Sequence, residues 1–395
     1  MSKKRNIKKD ITFIYSDTAE KQIMKPIIKE AEKRGYTTRL TDNNFAKCEI
    51  GFYCQHINFP QYSKFSLIML HDITQQYGNW PDVWFSEPWN KYDIGILPGK
   101  VWEKNWNQCS KFYYARPRKG MYLVGWPKAD FIAELGSEEY KENFFKKYGL
   151  DKNKKTVLYA PAWENDGKED EFVQAALKCN VNILIKQAPL FREDNYPVIY
   201  NNIQEQRKLH ENMPGVTWID PEVNIFDVIA VSDILVSEES STMCESVLMG
   251  KPAISVSDWL IPDVTPSRYP CDTYDYVIET KKAELSDCIN KVLANYSKYA
   301  EDAKNYTKAN YSNIGTSSVM IMDIIDHYVE EKELTFNALN PQNNEKIPFK
   351  KKLLFNKKCF MRELTSNYAL RNPFLHLLYS CYRILKGKKP IPRIK

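Results

Sequence analysis

Short apolar runs alternate with amphipathic helical patterns along most of this 395-residue chain, and the alternation comes in two blocks. The first block predicts strands at residues 10–15, 37–41, 49–54, 66–71, 93–97 and 121–125, with helical stretches at about 19–33 and 128–148. Strands that are separated by helices pair in parallel, because the chain must cross back over the sheet before each new strand. The first block therefore predicts a doubly wound parallel sheet.

The second block begins after a polar segment at residues 149–155. It predicts strands at 156–160, 181–186, 216–219, 233–237 and 252–256, separated by helices at 170–178, 201–212, 224–231 and 242–249. Helices from about 281 to 332 are expected to complete this block and to cross back over the first. We therefore expect an α/β fold with two Rossmann-like domains, residues 1–150 and 151–336, that face each other across a cleft. Ligands of such sheets bind at the carboxyl ends of the strands.

The composition is that of a globular protein, with 43% hydrophobic and 27% charged residues. No window reaches about 18 consecutive apolar residues, and no apolar run of signal-peptide length follows the basic N-terminus. The nine cysteines are scattered and form no Cys-x-x-Cys pair. This pattern predicts a reduced, cytoplasmic protein without a zinc site, and we expect no other metal.

Positive charge is concentrated at the C-terminus. Residues 341–395 contain 14 Lys and Arg against Glu345 and Glu363, whereas residues 1–340 carry a net charge of −6. Large apolar residues are interleaved with these bases, which predicts a basic amphipathic helical tail at 337–395 that binds an anionic membrane surface. A helix docked on the protein core with solvated lysines fits the same pattern. We expect no nucleic-acid partner, since no recognisable nucleic-acid-binding fold accompanies the charge.

The segment at residues 232–255 predicts an anion site. A buried strand at 234–236 is followed by a hydroxyl-rich turn, Ser240, Ser241 and Thr242, and then by an amphipathic helix. Backbone N–H groups and the helix dipole both favour a phosphate at such a helix N-terminus, so a nucleotide diphosphate would suit the turn. The alternative is that these residues cap the helix without a ligand.

Four motifs in this order carry a family resemblance. They are the strand 66–70 ending in His71-Asp72, the segment Gly125-Trp-Pro127-Lys-Ala-Asp130, the strand Leu158-Tyr-Ala-Pro161-Ala162-Trp163, and Glu238-Glu239-Ser240-Ser241-Thr-Met-Cys-Glu245 followed by Lys251-Pro252. Together they resemble the CDP-glycerol glycerophosphotransferase family, the teichoic acid primases and polymerases of the two-domain GT-B type. The resemblance covers roughly residues 66–256.

The chain departs from the family pattern at several positions. Asp72 stands where the family has a glycine, Ala162 and Glu164 stand where it has Thr and Arg, and Ala188 stands where it has the histidine of a His-Pro pair. No Arg-Gly element is evident at residues 262–274. In the family, the groups that are replaced here contact phosphate.

His71 is the candidate catalytic base. It ends a predicted strand at the cleft, and a histidine that is near-neutral at cytoplasmic pH can take a proton from an attacking hydroxyl group. Asp72 follows it directly and is expected to orient it. The alternative is a structural histidine at a strand end; the family resemblance favours the catalytic role.

The resemblance also implies a donor-binding set. The residues expected to bind the donor are Ser240, Ser241, Thr242, Glu245, Lys186, Trp163, Pro161 and Gly125. Ser240 and Ser241 would donate hydrogen bonds to the pyrophosphate. Glu245, one turn into the helix, would face ribose hydroxyls or else lie exposed on the helix surface. Lys186 would add positive charge near the phosphates, or else extend from a strand end to solvent.

By resemblance, the chain is expected to transfer glycerol phosphate or ribitol phosphate from a CDP-linked donor to a hydroxyl of a lipid-linked or surface glycan at the inner membrane face, releasing CMP. No cofactor is expected besides this nucleotide-diphosphate donor. Two alternatives stay open: a sugar-nucleotide enzyme of the same fold, either a glycosyltransferase or a non-hydrolysing epimerase, and a non-catalytic nucleotide-binding protein of a glycan assembly system.

Overall fold

The computed structural model describes residues 7–56, 58–74, 82–164, 167–270, 274–342, 348–363, 372–387 and 390. The chain divides into two compact units. The first comprises Met1–Ser110 and Tyr114–Pro341, and the second comprises Lys111–Tyr113 and Gln342–Lys395. The first unit contains two parallel β-sheets, each with six strands among the described residues.

The first sheet has the strand order β2-β1-β3-β4-β5-β6, and all neighbours are parallel. Its strands are β1 (Asp10–Ile14), β2 (Thr37–Thr41), β3 (Cys48–Cys54), β4 (Ser63–Met69), β5 (Ile94–Leu97) and β6 (Gly120–Leu123). The helices of this part are α1 (Thr18–Lys33), α2 (Val83–Ser86), α3 (Lys100–Cys109), α4 (Ile132–Leu135) and α5 (Glu138–Tyr148). Gly149 ends α5 in the left-handed conformation at φ 66°, which a glycine adopts without strain.

The second sheet has the order β12-β11-β10-β7-β8-β9, again parallel throughout. Its strands are β7 (Thr156–Tyr159), β8 (Asn182–Ile185), β9 (Val216–Trp218), β10 (Ile234–Ser237), β11 (Ala253–Val256) and β12 (Ile278–Thr280). The helices are α6 (Lys168–Leu177), α7 (Pro197–His210), α8 (Ile225–Val231), α9 (Ser241–Leu248), α10 (Leu285–Ala294), α11 (Tyr296–Asn310) and α12 (Ser317–Glu330).

The central strands are apolar because helices cover both faces of each sheet. Phe52 of β3, Leu67 of β4 and Leu235 of β10 are fully buried. The edge strand β2 is instead polar and largely exposed, as suits a strand with one unpaired side. The predicted fold class, α/β with two parallel sheets, is thus confirmed, while the domain boundary at residue 150 stays a prediction.

Helix α12 packs against α1, as expected for C-terminal helices that cross back over the first block. The guanidinium of Arg34 lies 2.7 Å from Asp323 and 3.1 Å from Asp326. The hydroxyl of Tyr36 donates to the Asp326 carboxylate at 2.6 Å. These contacts fix the last helix of the second block to the first sheet.

Each sheet has one place where the strand order reverses. In the first sheet the connections diverge between β1 and β3, and in the second they diverge between β7 and β10. Adjacent loops leave the sheet in opposite directions at such a point and open a crevice at the carboxyl ends of the strands. The two crevices therefore predict where a ligand binds.

The second unit contains α13 (Phe349–Glu363) and α14 (Pro373–Leu385). The carboxamide oxygen of Asn372 caps α14 by accepting from the N–H groups of Phe374 and Leu375. Among the described residues, no helix has the length and apolar character needed to cross a membrane. The predicted membrane association of the tail stays a prediction.

Candidate active site

A cavity of about 460 Å³ lies at the carboxyl ends of both sheets. Loops that follow β1 and β4 of the first sheet line it, together with loops that follow β7, β8 and β10 of the second. Most of the residues predicted for the site line this cavity: His71, Asp72, Pro161, Trp163, Lys186, Ser240, Ser241, Thr242 and Glu245. The cavity thus lies where the strand order of the second sheet reverses, and the loop that follows β1, next to the reversal of the first sheet, also lines it.

The hydroxyl-rich turn forms the N-terminus of α9. Ser240 is the N-cap, and its hydroxyl oxygen accepts from the Thr242 N–H at 3.2 Å. The Thr242 hydroxyl donates to the Ala160 carbonyl at 3.1 Å, which fixes the turn to the end of β7. Ser240 therefore does cap the helix, and the same turn also faces the cavity.

Asp72 faces the α9 N-terminus from the first sheet. Its carboxylate accepts from the Thr74 N–H at 3.1 Å. Burial raises the pKa of Asp72, and interactions with the Thr74 N–H and the Ser241 hydroxyl oppose the rise. The Asp72 carboxylate thus interacts with Thr74 and Ser241, and its role in orienting His71 stays a prediction.

His71 follows β4 and lines the cavity. Its ring lies against that of His56, with centroids 4.4 Å apart and planes tilted by 43°. Nδ1 of His56 is 2.6 Å from a carboxylate oxygen of Glu20, which is almost fully buried. Burial lowers the pKa of His56, but the hydrogen bond with Glu20 and the negative charges of Glu20, Asp17 and Glu87 raise it, and the pKa is raised overall.

Asp17, Glu20 and His56 form a group that the sequence analysis missed. Their ligand atoms lie within 4.8 Å of one another, a spacing compatible with a metal ion. Hydrogen bonds already occupy both carboxylates, since Glu20 accepts from the Ser16 N–H at 2.5 Å and Asp17 accepts from the Glu20 N–H at 3.1 Å. Hydrogen bonds therefore account for the arrangement of these three side chains without a metal ion. Only the tertiary fold brings His56, beyond β3, to the start of α1.

Glu245 is buried, with 2% of its surface exposed, so the alternative of a surface glutamate is wrong. Its Oε1 accepts from Nζ of Lys128 at 2.7 Å and from the Trp126 indole at 3.4 Å. Its Oε2 is buried without a hydrogen-bond partner. Burial raises the pKa of Glu245, and the charge of Lys128 opposes the rise. Glu245 therefore retains one buried oxygen that can still accept a hydrogen bond.

Lys186 is also buried, which excludes the alternative of a lysine that extends to solvent. Its Nζ donates to the Pro221 carbonyl at 3.0 Å. Burial and repulsion from Lys128 lower its pKa to about 8. Lys128 also lines the cavity, where its charge is paired with the Glu245 carboxylate.

Trp163 and Pro161 form an apolar part of the cavity wall. The Trp163 ring packs against Phe191 and Tyr196, with centroid distances of 5.2 and 5.5 Å. Its backbone N–H donates to the buried carboxylate of Glu238 at 3.2 Å. These contacts hold a flat aromatic surface beside the cavity.

Gly125 is not among the residues that line the cavity. Its φ is +116°, and a Cβ there would lie 2.4 Å from the Ser317 hydroxyl and 2.5 Å from the Ser312 carbonyl. Glycine is therefore required where the end of β6 meets the start of α12. The structure therefore gives Gly125 a packing role, and its predicted contact with the donor stays a prediction.

Arg268 is a cavity residue that the sequence analysis missed. Two of its guanidinium nitrogens lie 2.8 Å from the two carboxylate oxygens of Glu239, and it also pairs with Asp263 at 2.8 Å. Arg268 is the only Lys or Arg within residues 262–274. The presence of a single basic residue in a loop at the carboxyl edge of the sheet could have indicated that Arg268 belongs to the site.

Comparison with known proteins agrees with this geometry. The family described as CDP-glycerol:poly(glycerophosphate) glycerophosphotransferase matches residues 71–314. The chain is 23% identical over 234 residues to a teichoic acid poly(ribitol-phosphate) polymerase of Bacillus spizizenii, covering 56% of this chain and 36% of that protein. It is 24% identical over 133 residues to a teichoic acid glycerol-phosphate transferase of Staphylococcus aureus, covering 33% of each. The chain spans about a third of the length of these curated relatives.

Solved structures show the same fold. The wall teichoic acid polymerase TagF, in a crystal soaked with CDPG, superimposes with a TM-score of 0.57 at 16% identity, covering 83% of this chain and 91% of that chain. A UDP-GlcNAc 2-epimerase of Neisseria meningitidis superimposes with a TM-score of 0.53 at 14% identity, covering 80% and 99%. At these identities the likeness concerns the fold, which is of the GT-B type.

Proposed function

Because this chain belongs to the CDP-glycerol:poly(glycerophosphate) glycerophosphotransferase family, we propose that it transfers a polyol phosphate from a CDP-linked donor to a hydroxyl group of a glycan. The polyol phosphate is glycerol phosphate or ribitol phosphate, and CMP is the leaving group. The observation that carries the proposal is the N-terminus of α9, which faces a cavity lined by Lys128, Lys186 and Arg268. Lys128 and Arg268 are paired with carboxylates, whereas the Lys186 ammonium group is hydrogen-bonded to a carbonyl, and its charge together with a helix N-terminus suits a pyrophosphate.

The contacts of the cavity walls support a proposed position for the donor. Its pyrophosphate would lie at Ser240 and Ser241, where Lys186 contributes charge. The unpartnered Oε2 of Glu245 would accept a hydrogen bond from a ribose hydroxyl. Trp163 and Pro161 would supply apolar contact to the bound donor.

His71 would act as the general base of the transfer. It takes the proton of the acceptor hydroxyl while that oxygen attacks the phosphorus next to the polyol. The bond from this phosphorus to the bridging oxygen breaks, and CMP leaves with its negative charge held by the α9 N-terminus and Lys186. His56, held by Glu20, packs against the His71 ring and limits its orientation.

Replacement of the base tests this mechanism. His71→Ala is expected to lower the rate of CMP release from CDP-glycerol by a factor of about 100 or more, because no nearby base then takes the proton of the attacking hydroxyl group. His327→Ala, on α12, is the matched control and is expected to keep the wild-type rate. Near-wild-type turnover in His71→Ala would show that another group is the base.

The acceptor is proposed to be a lipid-linked glycan at the inner face of the membrane. Helix α14 supports this proposal, because an exposed apolar stripe runs along it at helical spacing. The stripe consists of Phe374, Leu377, Leu378, Tyr382 and Leu385, each at least half exposed. Arg383 and Lys386 lie at the end of the same helix, and we propose that these groups hold the protein peripherally at an anionic bilayer.

A further inference from the structure

The side-chain amide of Gln187 is held in one orientation. Gln187 follows β8, is 1% exposed and lines the cavity. Its Nε2 donates to a carboxylate oxygen of Glu164 at 2.7 Å and to one of Glu169 at 2.9 Å. Both amide hydrogens are thereby engaged, and the amide oxygen Oε1 is buried without a hydrogen-bond partner.

The two carboxylates enforce this orientation. If the amide were flipped, Oε1 would face two carboxylate oxygens, and an acceptor cannot bond to an acceptor. The carboxylates are themselves fixed, since the Tyr159 hydroxyl donates to Glu164 at 2.9 Å and Nδ1 of His210 lies 2.8 Å from Glu169. Gln187 therefore presents an acceptor in a position that its surroundings determine.

The region behind Gln187 is rich in buried carboxyl groups. Glu164 and Glu169 are fully buried, and burial together with Glu164 raises the pKa of Glu169 to about 7. The neighbour Ala188 adds no polar side-chain group. An additional phosphate at this position would face acceptors and negative charge, whereas a neutral group with an O–H or N–H would find a fixed partner.

We propose that Gln187 is a specificity residue whose Oε1 accepts a hydrogen bond from a neutral O–H or N–H group of the bound donor. This inference rests on the proposed function, because it assumes that the cavity binds a CDP-linked polyol. Two parts of such a donor carry suitable groups: the hydroxyls of the polyol, and the amino and hydroxyl groups of the cytidine. A site built around a buried acceptor discriminates against ligands that leave it unpaired.

Gln187→Met tests the inference, because methionine keeps the side-chain length and removes the amide. Calorimetric titration of the intact chain with CDP-glycerol is expected to give about tenfold weaker binding in this variant. Gln174→Met, on the exposed face of α6, is the matched control and is expected to bind as the wild type does. Thermal unfolding of each variant verifies that it is folded.

A parallel titration with CMP identifies the group that is bound. If Gln187→Met binds CDP-glycerol more weakly but CMP as tightly as the wild type does, the contact is to the polyol part of the donor. If its affinity for both ligands falls equally, the contact is to the cytidine. Unchanged binding of both ligands by folded Gln187→Met would overturn the inference.

A second variant keeps the test available if Gln187→Met does not fold. Glu164→Met preserves side-chain length but removes one of the two acceptors that fix the amide, so CDP-glycerol binding is expected to weaken about threefold. Unchanged affinity in folded Glu164→Met would overturn the inference. A wild-type chain that binds neither CMP nor CDP-glycerol would instead refute the proposed function.

Discussion

Part of the charge in the cavity lies on buried side chains, and their ionisation affects what can bind. Lys186 is held beside the Pro221 carbonyl, and burial lowers its pKa to about 8. A lysine with a lowered pKa carries its positive charge below that value and loses it as the pH rises through it. A phosphate of the donor would favour the charged form, so protonation and donor binding are coupled.

This coupling predicts a pH-dependent affinity. Calorimetric titration with CDP-glycerol is expected to show binding that weakens as the pH rises above about 8, because Lys186 then becomes neutral. Lys186→Met is expected to bind about tenfold more weakly at pH 7 and to lose this pH dependence. Lys208→Met, an exposed position on α7, is the control. An unchanged pH dependence in Lys186→Met would exclude Lys186 from the phosphate site.

At the residue level, the sequence predicted those cavity residues that belong to short motifs. His71 and the Ser240–Thr242 turn line the cavity as the motifs indicate. Arg268 and the pairing of Glu20 with His56 were not predicted, because each depends on contacts between segments distant in sequence. Burial was not predicted either, and it is burial that sets the ionisation of Lys186.

The elements of the fold position these residues through close contacts of the backbone. The loop after β6 approaches the start of α12 so closely that a Cβ on Gly125 would lie 2.4 Å from the Ser317 hydroxyl. The carboxylate of Asp130 accepts from the N–H groups of Ser317 and Ser318 at 3.0 and 2.7 Å, which anchors the helix at the same place. The segment 125–130 thus fastens α12 to the end of the first sheet.

Gly125→Ala separates this packing role from donor binding. The added methyl group and the positive φ are expected to lower the free energy of unfolding by about 1–3 kcal/mol. Donor affinity of the folded variant is expected to equal that of the wild type. Chemical denaturation and calorimetric titration measure the two quantities. Gly136→Ala, where a Cβ meets nothing closer than 3.4 Å, is the control, and a specific loss of donor affinity in Gly125→Ala would return this glycine to the binding site.

Most elements could be predicted because buried strands of parallel sheets are continuous apolar runs. The strand predicted at 156–160 is observed as Thr156–Tyr159, and the one at 252–256 as Ala253–Val256. Strand β12 was missed, because only three residues form it and one of them, Glu279, is exposed. Its place at the sheet edge depends on pairing with β11, which the local pattern does not encode.

On the scale of the whole molecule, charge separates the C-terminal tail from the rest of the chain. The net charge of residues 341–395 is +12, against −6 for residues 1–340. The sequence alone revealed this asymmetry and the apolar residues interleaved with the bases, and the structure adds their exposure: Phe374 is 67% and Leu385 is 85% exposed. Bases next to an exposed apolar stripe suit the headgroup and acyl regions of a bilayer.

Membrane binding is testable in the intact chain. The double variant Phe374→Asp with Leu377→Asp is expected to lose most cosedimentation with vesicles that contain phosphatidylglycerol, because it places charge in the apolar stripe. Val198→Asp with Leu209→Asp, exposed apolar positions on α7, is the matched control and is expected to sediment like the wild type. Equal sedimentation of both double variants would show that α14 is not the membrane contact.

Thermal unfolding with nucleotide conjugates separates the possible donors, because a ligand that binds the folded state stabilises it by mass action. At about 100 times its Kd, a bound donor adds about 2.7 kcal/mol to the free energy of unfolding. We predict that CDP-glycerol or CDP-ribitol raises the unfolding temperature of the 395-residue chain, and that UDP-N-acetylglucosamine does not. Stabilisation by UDP-N-acetylglucosamine, with none from either CDP conjugate, would contradict a CDP-linked donor.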